Sequence, residues 1–249
     1  MVNFKKAFDC VEHEAVWRAL REQAVPNAYV RTCQALYRDQ RGRVIAEAQS
    51  REFETRRGTK QGDPMSPKLF NAVLQSVFEK IAHKWEKEGS GIKVTKQGRL
   101  TSLRFADDVL LVAGSAEMLE GMLEDLAREA EKVGLQLHFG KTKGLCNKFA
   151  RKKNEGRKEL SVKGHKVPVL PEGATTKYLG RALRLDNHNE AEVENRVNAA
   201  WQRFFSLKRE LCNRHFPLQR RLKLSGQRSR RHSCMEQAHG HSRRRRSDI

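Results

Sequence analysis

The chain has 249 residues, with 50 Lys and Arg against 30 Asp and Glu and a formal net charge of +20. That length suffices for one sizeable domain or two small ones with a real core, and the charge favours a polyanionic partner, nucleic acid being the commonest. No apolar run approaches the ~20 residues that span a bilayer and the first residues lack the basic-then-apolar pattern of a secretory signal, so the sequence reads as soluble and intracellular. Its five cysteines are odd in number and without paired spacing, which argues against a disulfide scaffold.

In chain order, Val16, Ala19, Leu20 and Ala24 recur at helical spacing, and Pro26 separates that helix from a second one running to Tyr37. Arg43 to Ala48 and Glu52 to Arg57 read as weak strands. After Gly58 come Gln61-Gly62-Asp63-Pro64-Met65-Ser66-Pro67, with Ser66 as the expected N-cap and Pro67 as the first helical residue. The next helix carries Leu69, Phe70, Val73, Leu74, Val77, Phe78, Ile81 and Trp85, a stripe wide enough to lie against a sheet. Strands are expected at Ile92 to Val94, Leu103 to Phe105 and Val109 to Val112. Ser115 caps another helix, with Met118, Leu119, Met122, Leu123, Leu126, Ala130 and Val133 on one face and Gly134 closing it. Leu135, Leu137 and Phe139 alternate as in a strand. Short strands follow at Lys166 to Leu170 and Tyr178 to Leu183. Val193, Val197, Trp201, Phe204, Phe205, Leu207 and Leu211 then line one side of a helix that cannot bury them alone. From Ser225 the chain becomes rich in Arg, Ser, His and Gln, ends in a run from Arg243 to Arg246, and is expected to be disordered. Together these elements predict an α+β fold, an antiparallel sheet with helices on one face.

Phe105-Ala106-Asp107-Asp108 sets two adjacent carboxylates between two apolar strands. A tight hairpin turn brings such a pair to the sheet rim, where both oxygens can serve a hard cation such as Mg²⁺. Asp also simply suits turns, so the tetrapeptide alone leaves both readings open.

Four segments in order, the Gln61 to Pro67 loop, Phe105 to Asp108, Gly134 through Lys141-Thr142-Lys143, and Tyr178-Leu179-Gly180, resemble the reverse transcriptase palm of non-LTR retrotransposons over Val2 to Leu224. The resemblance implies a palm with a ferredoxin-like core at 1–185, whose fingers are missing upstream, then a partial helical thumb at 186–224 and a basic tail at 225–249. It implies primer extension with dNTPs on an RNA or DNA template by two-metal phosphoryl transfer, so the expected partners are an RNA template, a DNA primer, dNTPs and two Mg²⁺ ions. Asp107 is then a metal ligand with Asp108 beside it, Gln61 and Gly62 approach the nucleotide and template, and Lys141 protonates the pyrophosphate leaving group. Phe8 resembles the bulky residue that excludes a ribose 2′-hydroxyl. Tyr178, Leu179 and Gly180 resemble the primer grip, and Arg203 and Lys208 the basic residues with which a thumb clamps the duplex.

One departure stands at the start of the chain. Asn3-Phe4-Lys5-Lys6-Ala7-Phe8-Asp9 resembles the first catalytic motif, but Asn3 occupies the position of the family's metal-binding Asp. A carboxamide keeps an oxygen and loses the charge that holds Mg²⁺ against its own hydration, so impaired catalysis is expected. Asp9 lies six positions downstream, at a different place in the motif, and is not a substitute. The tail, read in another frame over Ser233 to Gly240, resembles sequence that follows the thumb in non-LTR elements, so a frameshifted continuation is expected there. Cys234, His239 and His241 form only a weak zinc pattern. The competing reading is a non-enzymatic basic nucleic-acid-binding protein dominated by its Arg-rich tail, which could also act as a nuclear signal.

Overall fold

A computed structural model of the chain describes residues 1–44, 50–60, 62–95, 98–149, 157–213 and 215–223. The expectations for Gln61, Ile45 to Ala48, Leu224, the tail and its Cys234, His239 and His241 lie outside the described residues. The chain divides after Asn187 into two compact units.

The first unit mixes helices with short antiparallel hairpins. Its helices are α1 (Ala7–Cys10), α2 (His13–Glu22), α3 (Asn27–Tyr37), α4 (Ser66–Lys87) and α5 (Ala116–Glu131). Its strands are β1 (Arg41–Gly42), β2 (Phe53–Glu54), β3 (Ile92–Lys93), β4 (Arg99–Leu100), β5 (Ser102–Phe105), β6 (Asp108–Leu111), β7 (Glu159–Val162), β8 (His165–Pro168), β9 (Thr176–Tyr178) and β10 (Arg181–Leu183). Among the described residues five antiparallel pairs result, β1 with β2, β3 with β4, β5 with β6, β7 with β8 and β9 with β10.

Two strand expectations change. Arg43 and Val44 are not in a strand; the first strand of the pair lies just before them, at β1, and its partner β2 lies within the expected Glu52 to Arg57 segment. Tyr178 to Leu183 is not one strand but the hairpin β9–β10, because Leu179 (φ 49°) and Gly180 (φ 75°) both take left-handed backbone and reverse the chain. The cap of α4 also differs. Ser66 is the first helical residue, its hydroxyl is buried without a partner among the described residues, and the N-cap is Met65. Asp63 takes over the local work, its carboxylate accepting the Met65 N–H at 2.8 Å and its carbonyl the Ser66 N–H at 3.2 Å. At α5 the expectation holds, since the Ser115 hydroxyl accepts the Met118 N–H at 3.2 Å.

The core is built on α4. Its apolar face, including Phe70, Val73, Ile81 and Trp85, is almost completely buried, and each such side chain contributes roughly 1.5–3 kcal/mol of burial free energy. It joins one cluster with Met122 and Leu126 of α5, Val16 and Trp17 of α2, and Val2, Val109, Leu111 and Leu137 from extended segments. Between α4 and α5 lies one buried carboxylate, Asp125. Lys84 Nζ donates to both of its oxygens at 2.7 Å and Trp85 Nε1 to one at 3.1 Å, and Arg128 closes an ion pair from the next turn of α5. Burial pushes the Asp125 carboxyl up, but the hydrogen bonds from Lys84, Arg128 and Trp85 outweigh it and hold the group below the usual carboxylate range.

In the second unit, α6 (His188–Ser206) is followed by α7 (Lys208–Leu211). Val193, Val197, Trp201 and Phe205, four residues apart on one face, are exposed among the described residues, and the rings of Trp201, Phe204 and Phe205 pack on one another. No helix among the described residues is long and apolar enough to cross a membrane.

The depressed Asp125 fixes the sign of an acid effect. A carboxylate held below its unfolded value contributes stability that is present above about pH 4 and lost as pH falls through the folded value. Asp125→Asn is therefore expected to lower stability at neutral pH by about 1–3 kcal/mol and to flatten the acid limb of a Tm-against-pH curve, as followed by circular dichroism.

Candidate active site

The Asp pair sits at the tip of the β5–β6 hairpin. Phe105 pairs with Asp108, which leaves Ala106 and Asp107 as a two-residue turn, with Ala106 forced to φ 51°. Left-handed backbone costs an alanine about 1–2 kcal/mol, tolerated here because four paired residues per strand hold the hairpin shut. Asp107 is exposed and Asp108 half-buried.

The first residues of the chain form the neighbouring strand. Val2 bridges Val109 and Phe4 bridges Leu137, both antiparallel, so this segment runs between β6 and residues 136–138. Stepping one residue along each register puts Asn3 opposite Asp108 on one side and opposite His138 on the other, where the His138 N–H donates to the Asn3 carbonyl at 2.7 Å. Cross-strand partners share a face and successive residues alternate. Val2, Val109 and Leu137 are buried against the helices, so Phe105, Asp108, Asn3 and His138 form a row across the opposite, open face. The Asn3 N–H is held separately by the hydroxyl of Thr142, itself buried, at 3.2 Å.

Electrostatics follow from this packing. Burial pushes the Asp108 carboxyl up, and the adjacent charge of Asp107 pushes it further. The phenol of Tyr178 is raised by burial and then by the charge of Asp108, which brings the β9–β10 hairpin into the electrostatic range of the Asp pair. Lys141 is exposed on the turn that follows His138, whose carbonyl accepts its N–H at 2.9 Å. Phe8 is half-buried with its ring 4.7 Å from that of Phe70, and Gly62 is exposed at φ 88° with open space around it. Leu179 and Gly180 are exposed at their turn. In the second unit, Arg203 and Lys208 are exposed on α6 and α7.

The donor set can be tested against a divalent cation. Asp107 and Asp108 supply hard, charged oxygens of the type Mg²⁺ takes, and Asn3 supplies only a neutral one. Among the described residues no group of three His, Cys, Asp or Glu could hold a metal ion. The residues fit a cation held by two carboxylates and lack the third charge.

Residues 1–183 match the family model for reverse transcriptase (RNA-dependent DNA polymerase). The chain belongs to the reverse transcriptase family. Its relatives include the retrovirus-related Pol polyprotein from type-1 retrotransposable element R2 of Nasonia vitripennis, 30% identical over 185 residues, covering 72% of this chain and 18% of that protein. The R2 Pol polyprotein of Popillia japonica is 29% identical over 204 residues, 78% of this chain and 27% of its own length. That of the type-2 element R2DM of Drosophila melanogaster is 29% identical over 184 residues, 72% and 17%. This reverse transcriptase domain is thus of the non-LTR type, and it spans less than a third of the length of each of these three relatives.

The sequence assigns no role to Thr142, although it stands within the Lys141-Thr142-Lys143 segment, and none to His138. The alternation of Leu135 and Leu137 carried the signal for His138, since a residue next to a buried leucine in a strand must face the other way. It also placed Phe139 with the leucines, and Phe139 does pack against the core that holds them, although the extended backbone ends at His138 and the Phe139 ring also stacks on His165 with ring centroids 4.4 Å apart. Nothing in the sequence singled out the Thr142 hydroxyl.

Because part of the upward shift of Asp108 comes from its neighbour, Asp107→Asn is expected to lower the Asp108 pKa while leaving it above the usual carboxylate range through burial. Carboxyl ¹³C shifts followed by NMR titration check this, and an unchanged Asp108 midpoint would contradict it.

Proposed function

We propose that this chain is the palm and part of the thumb of a retrotransposon reverse transcriptase that binds primer–template but extends primers poorly. The observation that carries this reading is Asn3, opposite Asp108 on the open face of the sheet. Mg²⁺, when bound, supplies charge stabilisation for the attacking and leaving oxygens of nucleotidyl transfer. Asp107 and Asp108 would hold it, and Asn3 cannot contribute the charge a second ion needs. Phe8, Gln61 and Gly62 contact the incoming dNTP and the RNA or DNA template, with Phe8 excluding the ribose 2′-hydroxyl. Tyr178, Leu179 and Gly180 support the primer end. Lys141 donates a proton to the departing pyrophosphate, and Arg203 and Lys208 neutralise duplex phosphates. The ferredoxin-like palm, its partial thumb and a nuclear address in the Arg-rich tail belong to the same proposal.

The net charge of +20 favours a second reading in which the protein binds nucleic acid without chemistry through its tail. Removal of 225–249 separates the two, because duplex binding that survives it comes from the palm and thumb.

On poly(rA)·oligo(dT) with Mg²⁺ and dTTP, Asn3→Asp is expected to extend the primer at least roughly a hundredfold faster than the parent chain, the equivalent of about 3 kcal/mol of restored transition-state stabilisation. Asp107→Ala in the Asn3→Asp background should abolish that gain, while duplex affinity stays within about twofold and weakens with salt in all three proteins. A parent that extends as fast as Asn3→Asp would refute the assignment of impairment to Asn3.

A further inference from the structure

The segment that carries Phe8 is gripped at both ends of its short helix. On one side Gly134, at φ 81°, sits where a Cβ would lie 2.6 Å from the Cys10 carbonyl oxygen, and the Glu12 N–H donates to the Val133 carbonyl at 3.1 Å. On the other side lies the base of the Gln61-Gly62 loop. The Gly58 N–H donates to the Val11 carbonyl at 2.7 Å, and the Thr59 N–H donates to the Phe8 carbonyl at 2.6 Å, with the Thr59 hydroxyl on the same oxygen at 3.3 Å. Gly58 stands at φ 89°, and a Cβ there would lie 2.7 Å from the Asp9 carbonyl oxygen. The Gly58–Thr59 backbone is thus seated against Asp9 and bonded to the Val11 and Phe8 carbonyls, which couples the loop base to the segment that carries Phe8.

A second side chain, besides Thr59, reaches across this joint. His13, in the first turn of α2, places Nε2 2.9 Å from the Gly58 carbonyl oxygen. A carbonyl only accepts, so Nε2 carries the hydrogen and the tautomer is fixed. The ring is held in turn by aromatic walls, Tyr37 edge-on at 5.2 Å between centroids and Trp17 at 6.2 Å, both of them buried. The Gly58 peptide thus donates to Val11 and accepts from His13, and both bonds tie the loop base to the segment following Phe8. An imidazole on this carbonyl is more than packing requires, since an aliphatic side chain of the same volume would fill the space between Trp17 and Tyr37.

We propose that His13 is a positioning residue for deoxynucleotide selection: its hydrogen bond to the Gly58 carbonyl sets the Phe8–Thr59 joint, and thereby the place at which Phe8 meets the nucleotide sugar. This rests on the reverse-transcriptase reading of the site. His13 touches no substrate and acts only through Gly58 and Phe8. Loss of the donor frees the Gly58 carbonyl, lets the loop base drift from Phe8, and relaxes the steric test of the 2′-hydroxyl.

The test is equilibrium binding of dUTP and of UTP, which differ only at the 2′-hydroxyl, to the full chain on fluorescently labelled oligo(dT)·poly(rA) with Mg²⁺, before any turnover. His13→Ala is expected to narrow the preference for dUTP over UTP about fivefold, as the loss of one hydrogen bond implies. His13→Gln is expected to restore the preference, because its amide nitrogen stands as many bonds from Cα as Nε2 does. Asp125→Asn, destabilising but remote from this joint, is expected to lower Tm and leave the preference unchanged, which separates positioning from mere stability. An unchanged preference in His13→Ala, or an equal loss in Asp125→Asn, overturns the proposal while leaving the reverse-transcriptase reading intact. A parent that binds neither nucleotide overturns that reading and the proposal with it.

Discussion

The pairing of the first few residues between β6 and residues 136–138 is the constraint on which the site depends. Val2 and Phe4 point into the core formed by α4 and α5, and their registers with Val109 and Leu137 leave no freedom for Asn3. A slip by one residue would bury Asn3 and expose Val2, at a cost of several kcal/mol in lost apolar burial and an unpaired buried amide. The hydroxyl of Thr142 and the backbone of His138 complete the restraint by satisfying both backbone groups of Asn3. The position of Asn3 beside Asp108 is therefore enforced from the opposite face of the same strands, by Val2, Val109 and Leu137 packed in the core.

Much of this was readable beforehand. The stripe Leu69 to Trp85 declared a buried helix because its period leaves no other use for so many apolar residues, and Ser115 and Gly134 marked the ends of the next helix through hydrogen bonding and left-handed backbone. The hairpin tip at Asp107 followed from two apolar runs separated by turn residues. What escaped was set by contacts between distant segments. Ser66 looks like a cap by every local rule, yet Asp63 precedes it and reaches the free N–H groups first. Thr142 and His138 acquire meaning only once residues 136–142 lie beside the first strand, a long-range pairing no local pattern encodes. The bond from His13 to Gly58 spans 45 residues and is invisible for the same reason.

The helical scaffold and the open face answer to different physics. Asp125 survives burial because three donors converge on it, and its contribution is paid out as cohesion between α4 and α5. Asp108 is also partly buried, but its nearest charged neighbour is another carboxylate, so its ionised form is disfavoured rather than supported. One carboxylate is held ionised between two helices and the other is pushed toward its neutral form; the difference lies wholly in what surrounds them.

Asn3 shows how the fold leaves the choice between carboxamide and carboxylate open at one position of the sheet. A carboxamide is nearly the same size and shape as a carboxylate, and at this position the side chain faces away from the apolar core, while the backbone makes the strand's contacts. Neither packing nor hydrogen bonding of the strand opposes the change. Removing one negative charge opposite Asp108 even reduces like-charge repulsion on that face. The folding free energy is thus indifferent, or mildly favourable, to a carboxamide at this position. In this domain the requirements of the fold end at the Cα of Asn3, because the strand is fixed by its backbone and by the flanking core residues.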